Sequence, residues 1–119
     1  MRYADGFVLV VPKKNIKAYT RMSQTAGKVW KEYGAVEYLE CVGDDLKSKF
    51  GLPFPKLCKV KAGETVVFSW ILYKSRAHRD KVNAKVMKDP RMNAMMANKE
   101  MPFDPKRMAY GGFKAIVDL

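Results

Sequence analysis

From Arg2 to Val11 both alternating sets of positions are apolar, with Tyr3, Phe7, Leu9 and Val11 on one side and Ala4, Val8 and Val10 on the other. Such a run predicts a strand covered on both faces. At Pro12 the period changes. Ile16, Tyr19, Met22, Ala26, Trp30 and Tyr33 recur at spacings of three and four, the stripe of an amphipathic helix, with Gly34 as its stop. Ala35 to Val42 reads as a second strand, with Val36, Tyr38 and Val42 facing one way and Leu39 and Cys41 the other, ended by Gly43-Asp44-Asp45. Glu64 to Tyr73 (ETVVFSWILY) is β-branched and aromatic throughout and predicts a third strand. Ser75 is placed to cap a second helix whose buried positions are Ala77, Val82, Val86 and Met87. Asp89-Pro90 ends that helix and opens a short one through Met96. Arg107 to Val117 is the last predicted strand, interrupted at Gly111-Gly112 by what reads as a bulge.

Two stretches fall outside this periodicity. Asp44 to Gly63 carries Gly51, Pro53 and Pro55 among Leu52, Phe54 and Leu57, a packed loop in which Lys56 to Lys61 forms a short strand. Met101 to Lys106 is a proline-punctuated loop. The resulting order is β-α-β-(insertion)-β-α-β, an α+β chain of ferredoxin-like βαββαβ type, with an antiparallel sheet and two helices on one face. Residues 1–119 form a single domain with an irregular insertion at about 44–63. Two helices cover one face of such a sheet, so the doubly apolar first strand predicts a homodimer formed through the other face.

Charge adds one feature. The chain has 23 Lys and Arg against 12 Asp and Glu, a net charge of +11. The excess concentrates in Pro12 to Tyr33 and in Lys74 to Arg91. If both helices lie on the same side of the sheet, the cations form one basic face. No apolar run approaches the roughly 20 residues of a membrane helix, and the N-terminus lacks a signal-peptide pattern, so a cytoplasmic location without a membrane partner is expected. Two cysteines, Cys41 and Cys58, and one histidine, His78, are too few for a disulfide framework or a zinc box. No metal and no cofactor are expected.

Candidate chemistry comes from polar residues set in apolar strands: Asp5, Glu40, Ser69 beside Trp70, Arg107 and Tyr110. A charge in a half-buried sheet is costly unless paired or used. One reading makes Asp5 and Arg107 a structural ion pair on neighbouring strands. The other makes a ligand pocket in which Asp5 or Glu40 is a base, Arg107 holds an anionic group, and Trp70 and Tyr110 form an apolar wall. Arg91, Asp104 and Lys106 either organise the Asp89-Pro90-Arg91-Met92 and Met101 to Arg107 loops or form the rim of that pocket. His78 reads as a surface residue near a helix start. The methionines from Met87 to Met101 read as adaptable core or as a flexible pocket lining. No nucleophile motif is present, so catalytic residues are not assigned. RNA binding through the basic face is the alternative to a small molecule, but Tyr19, Trp30 and Tyr33 fall on the buried stripe instead of among the cations. A purely structural dimer is the third reading.

The segments DGFVLVVPK (Asp5 to Lys13), VFSWI (Val67 to Ile71), DPRM (Asp89 to Met92) and MPFDPKRMAYGGF (Met101 to Phe113) resemble the YbaA-like family of small bacterial proteins, a domain of unknown function. The resemblance spans nearly the whole chain. It implies a dimeric α/β barrel, in which two ferredoxin-like subunits face their sheets toward each other. That superfamily includes cofactor-free monooxygenases, haem-degrading enzymes and muconolactone isomerases, so the resemblance implies a fold and leaves the activity open. His78 lies outside the family motifs.

Overall fold

The computed structural model describes residues 1–119. The elements follow the predicted order: β1 (Tyr3–Pro12), α1 (Ile16–Glu32), β2 (Glu37–Val42), α2 (Phe54–Leu57), β3 (Glu64–Tyr73), α3 (Arg76–Val86), α4 (Pro90–Met96) and β4 (Ala109–Lys114). The sheet is antiparallel with strand order β2-β3-β1-β4, the ferredoxin-like arrangement. No helix is long and apolar enough to cross a membrane.

The local signals in the sequence account for the element ends. Gly34 has φ +109°, a conformation open to glycine, and it stops α1. Ser75 caps α3 by accepting a hydrogen bond from the His78 amide at 3.1 Å, and Asp89 caps α4 by accepting one from the Arg91 amide at 2.8 Å. His78 has a structural job there, since its Nδ1 accepts from the Lys74 amide at 3.0 Å.

Four expectations change. Lys56 to Lys61 is not a strand: the prolines at 53 and 55 start a short helical turn, and α2 occupies Phe54–Leu57. β4 is shorter than predicted, because Arg107 lies in a 3₁₀ turn that Asp104 caps. Gly111 and Gly112 are not a bulge; they pair in unbroken register with Gly6 and Asp5. Gly112 is instead demanded by the Tyr3 ring, which occupies the space a Cβ would need. On α3, Val82 and Val86 are buried as predicted, whereas Ala77 is exposed and Met87 is 45% exposed.

The two faces of the sheet differ in kind. Phe7, Leu9 and Val11 of β1 and Val67, Ile71 and Tyr73 of β3 point toward the helices, where they pack with Tyr19, Ala26 and Val29 of α1 and Val82 and Val86 of α3. Both long helices therefore cover the same face, and their cations share one outer surface. The opposite face presents Val8, Leu39, Phe68, Trp70 and Phe113. At one end of it the insertion folds back, and Phe54 meets Phe68 edge-on at 6.4 Å. Arg107 ties the insertion down through a two-pronged contact with Glu64 at 2.7 and 3.1 Å and a bond to the Lys59 carbonyl at 3.1 Å.

Candidate functional site

The residues predicted to share a pocket do not converge on one cavity. Asp5, at 1% exposure, faces the helices and pairs with Arg79 of α3 at 2.6 Å, not with Arg107. Its other oxygen accepts a longer bond from Asn83 Nδ2, 3.4 Å away. Asn83 Oδ1 in turn accepts from Trp30 Nε1 at 3.0 Å and Tyr73 Oη at 3.1 Å. Arg79 also lies 4.9 Å from the centre of the Tyr3 ring, and Tyr110 stacks on Phe7 beside it at 4.9 Å. Burial and the charge of Asp5 push the Tyr110 phenol up from its ordinary value. This network fastens α3 to the sheet.

Trp70 lies on the face away from the helices, where its indole donates to Glu37 at 2.7 Å. Arg107 is spent on Glu64, and Asp104 accepts from the Lys106 amide at 3.0 Å as a turn cap. Arg91 reaches Glu32 at 2.6 Å and Asp89 at 2.9 Å, while Tyr33 donates to Asp89 at 2.8 Å. The Arg91 guanidinium, helped by Tyr33, holds the Asp89 carboxyl well below the usual carboxylate range. Together these contacts pin the start of α4 against the end of α1. The DPRM segment is thus a clamp, and what it positions is the methionine-bearing helix.

Of the predicted residues, Glu40 and its neighbour Ser69 line one cavity, while Arg91 lines a separate, more open space between α1 and α4. The cavity at Glu40, about 270 Å³, lies between the helix side of the sheet, α1 and α4. Its walls are mostly apolar, with Phe7, Leu9, Ala26, Trp30, Ile71 and Phe103 among them. Every methionine except Met1 also lines it: Met22 of α1, Met92, Met95 and Met96 of α4, and Met87, Met101 and Met108 from the flanking segments. Met96 and Met87, exposed to 65% and 45%, mark its mouth. The methionines therefore form a flexible, polarisable lining.

Glu40 supplies the polar end. Tyr19 Oη donates to its Oε1 at 2.5 Å and Tyr38 Oη to its Oε2 at 2.6 Å, so each carboxylate oxygen holds one phenol. Burial first, and the adjacent Glu40 with it, pushes both phenols far above their ordinary value, so they stay protonated as donors. On the other side of this trio an open groove of about 670 Å³ runs between α1 and β2, past Thr20, Gln24, Lys28 and Lys31. Glu40 and its two tyrosines border both spaces.

The tyrosines were missed as site residues because their spacing assigned them to the core. Two signals existed. Tyr38 and Glu40 sit two apart on one strand and therefore share a face. Gly27 interrupts a good helix where alanine would ordinarily add about 1 kcal/mol. The glycine makes room for the Tyr38 ring, since a Cβ there would lie 2.7 Å from it. Gly27→Ala is accordingly expected to lower the melting temperature, with overpacking of about 1–3 kcal/mol outweighing the helix gain. A raised melting temperature would show that Tyr38 moves aside freely.

A family described as "Protein of unknown function (DUF1428)" matches residues 2–105 of the chain. The uncharacterized protein YbaA of Escherichia coli strain K12 is 44% identical over 118 residues, covering 99% of both chains. Among solved structures, Rv0793 of Mycobacterium tuberculosis superposes with a TM-score of 0.60 at 14% identity, over 99% of this chain and 98% of that one. A dimeric ferredoxin-like protein from an uncultured marine organism gives 0.60 at 10% identity with both chains fully covered. SnoaB of Streptomyces nogalater, a cofactor-independent oxygenase, gives 0.53 at 13% identity over 99% of this chain and 96% of that one. At these identities the structural likeness extends to the fold.

Proposed function

This chain belongs to the DUF1428 family of proteins of unknown function, and we propose from its own geometry that it binds a small, mainly apolar ring compound in the methionine-lined cavity. The observation that carries the reading is an acceptor at the end of an otherwise apolar space, Glu40 with its two phenols. A few well-placed polar groups in an apolar pocket are what orient a small ligand. The volume, about 270 Å³, favours a molecule of one or two fused rings over a drug-sized one, whose pockets start near 300 Å³. A hydroxyl on that molecule would donate to Glu40.

2-Naphthol is a suitable probe. It is expected to raise the melting temperature by mass action and to quench Trp30, which lines the cavity. Ala26→Phe, which fills the cavity from α1, should weaken binding more than about tenfold while the variant still melts cooperatively. Equal shifts in wild type and Ala26→Phe would overturn the assignment.

The second part of the proposal is a homodimer through the face away from the helices. Leu39, Phe68 and Phe113 are 40%, 42% and 63% exposed there, around Val8 and Trp70. The strand positions on that face carry Glu37 and Glu64 and no lysine or arginine. Nucleic acid needs stacking aromatics and cations on one surface, so a second apolar face is the better occupant. The solved ferredoxin-like protein described as dimeric lends support at the level of the fold.

A further inference from the structure

We propose that Glu40 is a general base acting on an enolisable cyclic carbonyl compound, and that Tyr19 and Tyr38 hand their hydrogen bonds from the carboxylate to the enolate oxygen as charge moves. This rests on the ligand occupying the methionine-lined cavity and goes beyond binding to a substrate class and a reaction. The argument starts from the arrangement of donors. Both oxygens of Glu40 hold a phenol at 2.5 and 2.6 Å, and all three side chains line the cavity. Three other carboxylates are paired with cations, Asp5 with Arg79, Asp89 with Arg91 and Glu64 with Arg107. Glu40 differs from these three in that its side-chain partners are two phenols and no cation.

That difference has a chemical consequence. When Glu40 removes a proton from the carbon next to a carbonyl, the C–H electrons form the new C=C bond and the carbonyl π electrons move to oxygen. The carboxyl becomes neutral and a poorer acceptor. The phenols, pre-placed at the same end of the cavity, are then better satisfied by the enolate oxygen, where the charge has gone. Returning the proton to the same carbon gives exchange. Returning it to the far carbon of a conjugated system gives a shifted double bond. Either path regenerates the carboxylate, and neither consumes an oxidant or reductant. The apolar methionine walls face the substrate ring on one side of the trio.

Proton exchange of 2-tetralone in D₂O, followed by NMR, tests this. Wild-type protein is expected to accelerate loss of the C1 proton signal over buffer, and Glu40→Gln to lose about 10²-fold or more of that acceleration. 2-Naphthol, a stable mimic of the enol, should inhibit competitively, which separates the cavity from catalysis by surface lysines and needs no variant. Tyr19→Phe and Tyr38→Phe should each lower the rate while 2-tetralone still shifts the melting temperature. If 2-tetralone and 2-naphthol produce no thermal shift, the binding reading itself fails. If they bind without exchange, or if exchange persists in folded Glu40→Gln or is untouched by 2-naphthol, the base assignment is overturned and the ligand reading stands.

Discussion

Arg79→Ala is expected to destabilise the chain by about 3–5 kcal/mol, a fall in melting temperature of roughly 10–20 °C. The size follows from what the substitution leaves behind. The Asp5 side chain is 2% exposed, and its short partner is Arg79 at 2.6 Å, itself 13% exposed. Asn83 Nδ2, at 3.4 Å, cannot replace a cation. Deleting the guanidinium therefore strands a carboxylate under α3, which costs far more than the pair is worth against an apolar substitute. The loss also removes the cation over Tyr3. Asp80→Ala provides the control, since Asp80 touches the same guanidinium from a 60% exposed position. It should shift stability by about 0.5 kcal/mol or less. Thermal melts of the two variants side by side decide the matter, and comparable losses would mean that Asp5 finds water once Arg79 is gone.

This ion pair also shows where the sequence stopped being readable. Asp5 was recognisable as a charge in an apolar strand, and such a charge needs a partner. Choosing Arg107 relied on strand adjacency, a one-dimensional rule. The actual partner comes from α3, and only the packing of that helix over β1 brings it within reach. The elements themselves were legible because they depend on local physics: period two in β1 and β3, period near four in α1, a hydroxyl cap at Ser75, and an Asp-Pro cap at Asp89. The strand expected at Lys56 to Lys61 is absent because Pro53 and Pro55, read as loop residues, start a helical turn that carries through Leu57. For the site, Glu40 was visible as a charged residue in a strand. Its phenols were not, because a tyrosine on a buried stripe satisfies the core pattern without revealing where its hydroxyl points. The methionines converge on one cavity only once the clamp of Asp89, Arg91 and Glu32 has set α4 in place.

Phe68→Glu should turn a dimer into a monomer. Phe68 sits on β3, one of the two central strands, opposite Val8 and Cys41, and 42% of it remains exposed in the single chain. In a two-fold interface the same patch appears on both subunits, so one substitution places two carboxylates in the contact. Each would lose hydration with no lysine or arginine at a strand position of that face to pair it, while the apolar area of both phenylalanines is lost as well. A cost of about 4 kcal/mol raises the dissociation constant on the order of a thousandfold, enough to populate monomer at micromolar concentration. Sedimentation at several concentrations reads this directly, with wild type expected near twice the chain mass and the variant near one. The variant should keep its fold, because Phe68 lies on the face away from the helix-side core, and its ring partners there are Phe54 and Trp70. It should also keep 2-naphthol binding, because the cavity opens on the opposite side of the sheet. A wild-type monomer at micromolar concentration would remove the homodimer. A variant that stays dimeric would move the interface elsewhere, to the helical side where the cations lie.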